Sequence, residues 1–336
     1  GGTMNQRIKL PEIFEGTWEH LLVLTYGAEI PFFENALLRS SGFRCRNKVI
    51  LADGNRFLES CKGYAENKML RFMNRKYVAD GIFVPHAAHA KLILLLREDN
   101  GLMLVGSGNL SRNGYTSGGE LFTSYNYSPE EKQDLPAFQS VWKFVLSLIN
   151  KGWVGKSAIP FLEMMSETHW LFHSVESSKS SITQNLDVSF FQQLQNEIQK
   201  DKVDELWVLS PFFDERLIAL EKLITAFSPR RTYLLVQSGR TSIDKKALKS
   251  LLKDRNNKII VKTIDSSKDL NKLPGIHAKL FILKTANRSI CLQGSPNCSQ
   301  AALLLTPPFG NIELGNILIG ERSEFDDVFE NLVLTT

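Results

Sequence analysis

Two stretches of the sequence carry the same polar residues in the same order. The first has HAK at 89–91 and GSGNLS at 106–111, and the second has HAK at 277–279 and GSPNCS at 294–299. In both stretches the asparagine follows the histidine by 20 residues, and the second stretch lies 188 residues after the first. Polar residues repeated inside otherwise apolar segments favour a shared chemical role over an ordinary structural repeat.

The repeated residue types suit chemistry at a phosphodiester. They are His89, Lys91, Asn109, His277, Lys279 and Asn297. An imidazole can attack phosphorus to form a covalent phosphohistidine, and a protonated imidazole can protonate the leaving oxygen near neutral pH. Ammonium and amide groups stabilise charge on the non-bridging oxygens. Ser107 and Ser295, on glycine-containing turns that a ligand can approach closely, are predicted to bind substrate.

One glutamate follows each asparagine and is predicted to orient a histidine ring. Glu120 lies 11 residues after the first asparagine, and Glu313 lies 16 residues after the second. Glu313 is the only acidic residue between Asp269 and Glu321, so the second copy offers no nearby alternative. Two carboxylates are too few for a two-metal centre. We therefore predict catalysis without a metal or another cofactor.

The elements that must position these residues repeat as well. LLVLTYGAEIPFFENALL at 21–38 resembles LWVLSPFFDERLIALEKLI at 206–224, and NKVILADG at 47–54 resembles RTYLLVQSG at 231–239. Each half shows apolar strands alternating with amphipathic helices, which indicates an α/β fold with sheets covered on both faces. Each HAK is predicted to lie within a strand, where positions i and i+2 face the same side.

A polar segment is predicted to join the two halves. The joint is predicted to lie within 164–185, where ESSKSSITQN at 176–185 is rich in serine, a composition typical of loops. We place one half at 4–166 and the other at 167–336.

Composition and charge limit the partner and the environment. The 336 residues include 40 Lys+Arg and 36 Asp+Glu, and no apolar run is long enough to span a membrane. Ten basic residues but three acidic ones lie between Arg39 and Lys76. Arg71, Arg75 and Lys76 are predicted to bind a polyanionic backbone, with a solvated surface as the alternative. Four cysteines without CxxC spacing and the lack of an apolar leader favour the cytoplasm.

The duplicated HxK-x15-SxN arrangement, with a glutamate downstream of each copy, resembles the motif of the phospholipase D superfamily. The resemblance extends over 21–320. It implies two similar α-β-α sandwich halves related by a pseudo-twofold axis, with the active site at their seam. It also implies two-step, metal-independent catalysis in which His89 is the nucleophile and His277 is the general acid.

One departure distinguishes this chain from the common pattern HxKxxxxD. The aspartate position holds Leu96 in the first copy and Lys284 in the second. The chain is therefore more similar to the nuclease and tyrosyl-DNA phosphodiesterase branch, in which that aspartate is dispensable.

The resemblance implies a phosphodiesterase that cleaves nucleic acid, with DNA as the favoured substrate. A phospholipase or phosphatidyl transferase is the first alternative, and it is weaker because no amphipathic membrane anchor is visible. A catalytically idle nucleic-acid-binding subunit is the second, and the intact residues of both copies argue against it. Helicase, ATPase or other subunits of a defence, repair or restriction system are possible protein partners, and no membrane partner is expected.

Overall fold

The structure, a computed structural model, divides the chain into two compact units, Gly1–Thr183 and Gln184–Thr336. The residues it describes are 3–5, 16–40, 43–116, 118–174, 179–253, 258–265, 275–329 and 333–335.

The first unit is built on a seven-stranded sheet. Its strands are β1 (Thr3–Asn5), β2 (His20–Thr25), β3 (Asn47–Asp53), β4 (Val78–Ile82), β5 (Leu92–Leu96), β6 (Gly101–Gly106) and β7 (Phe122–Tyr127). Its helices are α1 (Ile30–Phe32), continued by a π-helical turn (Phe33–Leu37), α2 (Gly54–Glu66), α3 (Arg112–Thr116), α4 (Leu135–Asn150), α5 (Ile159–Met165) and a 3-10 turn (His169–Phe172). The strand order is β1-β7-β6-β5-β2-β3-β4.

The second unit is built on an eight-stranded sheet. Its strands are β8 (Ile182–Gln184), β9 (Glu205–Leu209), β10 (Arg231–Val236), β11 (Ile259–Asp265), β12 (Leu280–Lys284), β13 (Arg288–Gly294), β14 (Leu314–Glu321) and β15 (Val333–Thr335). Its helices are α6 (Phe190–Ile198), α7 (Ile218–Phe227), α8 (Lys245–Lys253), a π-helical turn (Gln300–Leu304) and 3-10 turns (Glu215–Leu217, Asp326–Phe329). The strand order is β15-β11-β10-β9-β12-β13-β14-β8.

Six strands have the same order and direction in both units. In the first unit β2, β3 and β4 are parallel, and β5, β6 and β7 follow β2 in antiparallel pairs. In the second, β9, β10 and β11 are parallel, and β12, β13 and β14 follow β9 in antiparallel pairs. The predicted fold class, α/β with two similar halves, is confirmed.

Uninterrupted apolar strands explain why both sheets are covered on two faces. All five residues of β5 and all five of β12 are buried, as expected for strands without a solvent-facing side. Each unit has its own hydrophobic core, which in the first includes Phe33, Phe43 and Ile93 and in the second Phe190 and Phe281. The two strands adjacent to the HAK sequences are therefore rigid parts of a core.

The two HAK sequences lie just before a strand and not within it, so this detail of the sequence-based prediction was wrong. The β2–β5 ladder begins with the pair Leu24–Leu92, one residue after Lys91. The next residue of β2, Thr25, uses its side chain to bond a loop, as described below, and the regular pairing ends there.

The two units divide after Thr183, within the segment 164–185 predicted to join the halves, so the 3-10 turn that contains Trp170 belongs to the first unit. Trp170 stacks on Tyr127 of β7 with ring centroids 4.0 Å apart. Its indole N–H also donates to the carbonyl of Arg97 over 2.9 Å. These contacts attach the turn to the sheet of the first unit.

Candidate active site

The first HAK sequence places a buried cation directly behind its histidine. His89 is 8% exposed and Lys91 is fully buried. The Lys91 ammonium donates a hydrogen bond to the His89 carbonyl over 2.7 Å. This bond ties the lysine charge to the backbone that carries the histidine.

Asn109 is held by the end of β2. Its Oδ1 accepts hydrogen bonds from the backbone N–H of Tyr26 at 3.1 Å and of Gly27 at 3.4 Å, and the Thr25 hydroxyl lies 3.4 Å away. Thr25 Oγ1 also accepts from the Leu110 N–H at 2.9 Å and donates to the Gly27 carbonyl at 2.6 Å. Because Oδ1 is occupied, the Asn109 amide offers a ligand its Nδ2 donors.

Ser107 lies between a strand and the glutamate predicted for this motif. Its hydroxyl donates to Glu120 Oε2 and accepts from the Leu121 N–H at 3.0 Å. Ser107 is fully buried, while Glu120 is half-buried. The structure thus places this serine, predicted to bind substrate, where it positions a carboxylate.

The second HAK sequence repeats the lysine arrangement of the first. Lys279 is fully buried and donates to the His277 carbonyl over 2.7 Å. Its ammonium also lies 3.0 Å from Nδ1 and 3.2 Å from Nε2 of the His277 ring. The Lys279 ammonium therefore lies within hydrogen-bond distance of both the imidazole ring and the backbone that carries it.

The end of β9 holds the loop that carries Asn297, as the end of β2 holds the loop that carries Asn109. The Ser210 hydroxyl lies 3.5 Å from Asn297 Oδ1, accepts from the Cys298 N–H at 3.0 Å and donates to the Phe212 carbonyl at 2.7 Å. Ser210 therefore occupies the position that Thr25 has in the first unit.

Glu313 is fully buried and accepts several hydrogen bonds from its own unit. Its Oε2 accepts from the Ser295 hydroxyl, and its Oε1 accepts from Asn311 Nδ2 at 3.1 Å. Its backbone N–H donates to Asn185 Oδ1 at 2.8 Å. The Ser–Glu pair of the first unit thus recurs, and here the buried carboxylate has polar contacts on both oxygens.

Glycines end the strands that lead to both asparagines because side chains would not fit. A Cβ on Gly106 would lie 2.2 Å from the Leu121 carbonyl oxygen. Gly294 has a φ of +148° and its Cβ would lie 2.5 Å from the Gly315 Cα. The close approach of neighbouring strands therefore requires the glycine of the GS pair in each motif.

Two further residues hold the segments that carry the histidines. Asp53, 4% exposed, accepts from the Arg56 N–H at 3.0 Å as the N-cap of α2, and from the Ala88 N–H at 2.9 Å. Gln237 Oε1 accepts from the Ile276 N–H at 2.9 Å. Ala88 and Ile276 each precede a motif histidine. Sequence reasoning missed both anchors, along with Thr25 and Ser210.

An aromatic ring contacts each histidine. Tyr26 packs edge-on against His89 with centroids 5.2 Å apart, and Phe212 packs in the same manner against His277 at 6.2 Å. The Arg56 guanidinium lies over the Tyr26 ring at 4.8 Å. Tyr26 was not among the residues predicted from the sequence. It directly follows β2, and Phe212 comes three residues after the end of β9.

The predicted backbone-binding residues Arg71, Arg75 and Lys76 are all exposed. The loop that carries them is fixed by Glu34, which is 2% exposed and accepts from the Arg71 N–H at 2.9 Å. These three cations therefore project from an ordered loop of the first unit.

The residues at the missing aspartate positions lie away from catalytic chemistry. Leu96 is fully buried in β5, within an entirely apolar strand. Lys284, at the end of β12, is 7% exposed and forms an ion pair with Asp326.

Three of the four cysteines are buried and poorly suited to act as nucleophiles. Burial raises the pKa of the Cys45 thiol to about 12 and also raises the pKa of Cys291 and Cys298, which disfavours the reactive thiolate.

Within the described ranges, no three His, Cys, Asp or Glu side chains are grouped as a metal site would require. No helix in that part of the chain has the length and apolar character needed to cross a bilayer.

Each unit thus supplies a histidine, a buried lysine, an oriented asparagine and a Ser–Glu pair. A histidine can act as nucleophile or as acid and base. The lysine and the asparagine can stabilise negative charge on a phosphate, since both are positioned before substrate arrives.

Comparison with known proteins identifies the fold. No family model and no curated protein matches the sequence. Among solved structures, the chain is similar to a polyphosphate kinase from Porphyromonas gingivalis, with 10% identity and a TM-score of 0.54 over 95% of this chain and 47% of the kinase. It is also similar to a phosphatidylserine synthase from Haemophilus influenzae Rd KW20, with 9% identity and a TM-score of 0.49 over 97% and 84% of the two chains.

The chain has a phospholipase D-like fold. The similarity in fold to the polyphosphate kinase agrees with the motif resemblance but does not single out a nuclease branch. At 10% identity, and with this chain spanning about half of the kinase, the similarity concerns the fold. A reaction has to be argued from the side chains.

Proposed function

We propose that this chain is a metal-independent phosphodiesterase that cleaves nucleic acid, with DNA as its substrate. The observation that carries the proposal is the duplicated hydrogen-bonded frame. In both units a hydroxyl at the end of a central strand accepts from the backbone N–H that follows the asparagine, a serine donates to the glutamate, and a buried lysine donates to the histidine carbonyl. A frame kept in both copies, down to polar contacts, supports an intact catalytic set.

In the proposed reaction one histidine is the nucleophile and the other is the general acid. The neutral His89 ring attacks phosphorus, the bond to the leaving oxygen breaks, and the His277 imidazolium donates its proton to that oxygen. Neutral His277 then takes a proton from water, whose oxygen attacks phosphorus and breaks the phosphorus–nitrogen bond of the phosphohistidine. Two in-line displacements give net retention of configuration at phosphorus.

The surrounding groups are proposed to lower the barrier by electrostatics. Lys91 and Lys279 supply positive charge, and Asn109 and Asn297 supply neutral donors, to the non-bridging oxygens. Glu120 and Glu313 are proposed to orient the histidine rings and favour the imidazolium that forms during each step.

The environment of the first histidine supports its role as nucleophile. His89 packs against Tyr26 and is 8% exposed, so its ring is held in one orientation. His277 is more exposed, which suits a group that exchanges a proton with water in the second step.

Arg71, Arg75 and Lys76 are proposed to bind the nucleic acid backbone away from the scissile bond. Exposed cations on an ordered loop favour a polyanion, because neutralising phosphates releases counterions. This contribution depends on charge and not on base sequence.

The substrate test is incubation with single-stranded DNA, duplex DNA, RNA and phosphatidylcholine vesicles, each with excess EDTA. Cleavage of DNA by the wild type and by His86→Asn, but not by His89→Asn, is the expected result. His86 is a matched control because it is an exposed histidine three residues from His89. Hydrolysis of phosphatidylcholine alone would contradict the nuclease proposal, and binding of DNA without cleavage would indicate an idle subunit.

A further inference from the structure

A pocket of about 390 Å³ lies in the first unit, and all of its lining residues belong to the segment 34–76. None of the lining residues belongs to the candidate active site. Its volume falls within the range of small-molecule pockets, roughly 300–1,000 Å³.

Glu34 lines the pocket, and its carboxylate accepts hydrogen bonds from the loop that begins at Arg71. Its Oε1 accepts from the N–H groups of Phe72 at 2.9 Å and Met73 at 3.0 Å, and from the Tyr77 hydroxyl at 2.8 Å. Its Oε2 accepts from the Arg71 N–H at 2.9 Å. These four donors satisfy the Glu34 carboxylate. Among the described residues it forms no ion pair with a cation of the pocket.

Four cationic side chains line the same pocket: Arg39, Arg44, Lys48 and Lys76. In the described part of the chain, no carboxylate oxygen lies within 4.0 Å of any of these cationic nitrogens. With one glutamate and four cations the lining carries an excess of positive charge. Gathering like charges in one concavity is unfavourable unless an anion joins them.

Among the described residues, the contacts of these cations hold them in place without an ion pair. Lys48 donates to the Cys45 carbonyl, and Arg44 Nε donates to the Arg39 carbonyl at 3.2 Å. Lys76 lies over the Phe72 ring at 4.4 Å. Burial is the main cause that lowers the pKa of Lys48, while Cys45 opposes this shift and Lys76 adds to it.

We infer that this pocket binds a phosphomonoester group. A phosphomonoester carries up to two negative charges and three terminal oxygens, which matches several cations converging on one cavity. Guanidinium groups can bind phosphate through two parallel hydrogen bonds, and ammonium groups act as point charges beside them. The pocket also has room for part of the molecule that bears the phosphate. The inference does not depend on the chain being a nuclease.

Binding is tested by calorimetric titration of the full chain with three probes. These are inorganic phosphate, a trinucleotide with a 5′-phosphate, and the same trinucleotide with a 5′-hydroxyl. The 5′-phosphorylated probe is expected to bind at least about tenfold more tightly than the 5′-hydroxyl probe, since each charged hydrogen bond contributes substantially. Binding of inorganic phosphate with no preference between the trinucleotides would assign the same chemistry to a free phosphate ligand.

Variants locate the binding event in the pocket. Lys48→Met and Arg44→Gln should each weaken phosphate binding about tenfold or more, and thermal unfolding checks that both proteins remain folded. Lys143→Met is the matched control, because Lys143 is exposed on α4 and loses the same charge. The inference is overturned if Arg44→Gln binds phosphate as the wild type does, if Lys143→Met weakens it equally, or if none of the probes binds.

Discussion

The hydroxyl at the end of β2 provides a sharp test of how the first motif is held. Thr25→Val keeps the side-chain shape but removes the group that bonds Leu110 and approaches Asn109. Thr25 is 1% exposed and Leu110 is fully buried, so water cannot replace the lost acceptor. We expect the loop that carries the asparagine to loosen.

The size of the effect follows from one buried N–H left without an acceptor. Such a group costs about 1–3 kcal/mol of stability. For a unit of this length, each kcal/mol lowers the melting temperature by about 2–4 °C, so a decrease of about 2–12 °C is expected. Loss of the fixed Asn109 orientation should also lower kcat by about 10- to 100-fold, which approaches the effect of removing a transition-state donor.

Thermal unfolding and steady-state cleavage are measured on Thr25→Val and on Thr25→Ser. Serine keeps the hydroxyl, as Ser210 does at the corresponding position of the second unit. Thr25→Ser should therefore retain most of the stability and activity. If the valine and serine variants have the same melting temperature and activity, the hydroxyl does not hold the loop.

Three further predictions concern positioning, substrate and metal. Asp53→Ala should destabilise the protein by about 1–3 kcal/mol in urea unfolding, because the hydrogen bond to the Ala88 N–H is lost. It should also lower kcat, with a smaller change in KM. An unchanged kcat would show that Asp53 does not position His89. Reversing the charges of Arg71, Arg75 and Lys76 should weaken DNA binding and flatten its dependence on salt without lowering the melting temperature; an unaltered salt dependence would exclude this loop from binding. Excess EDTA should leave most activity intact, and complete loss restored by Mg²⁺ would refute the mechanism.

The fold could be predicted because the repeat and the apolar runs are local signals. Five consecutive apolar residues at Leu92–Leu96 indicate a buried strand without knowledge of its neighbours. The repetition of HAK and GSxN then indicated that two halves share one topology, and the strand orders confirm it.

The residues that hold the motifs could not be predicted because their contacts join distant parts of the chain. Thr25 contacts Asn109 across 84 positions, and Asp53 bonds Ala88 across 35. The residue type also differs between copies, with Ser210 in place of Thr25 and Gln237 holding the segment before the second histidine. A hydroxyl at the end of the VLT and VLS strands was the one available signal.

The contacts of the serines in the two GSxN turns could not be predicted either. Sequence reasoning assigned Ser107 and Ser295 to substrate because they accompany glycines. In the structure each hydroxyl donates to a glutamate, Glu120 or Glu313. A small polar residue on a turn can bind a ligand or a neighbouring carboxylate, and the choice depends on strand pairing that the local sequence does not encode.

The most direct test of the central claim is to trap the covalent intermediate on labelled DNA in excess EDTA, with digestion and mass spectrometry to locate it. We expect an acid-labile, base-stable phosphoramidate on His89, which accumulates in His277→Asn, persists in His86→Asn and is absent from His89→Ala. Adduct on His277 in the wild type would reverse the two roles. Inversion of configuration at phosphorus, with no adduct in any variant, would contradict the account.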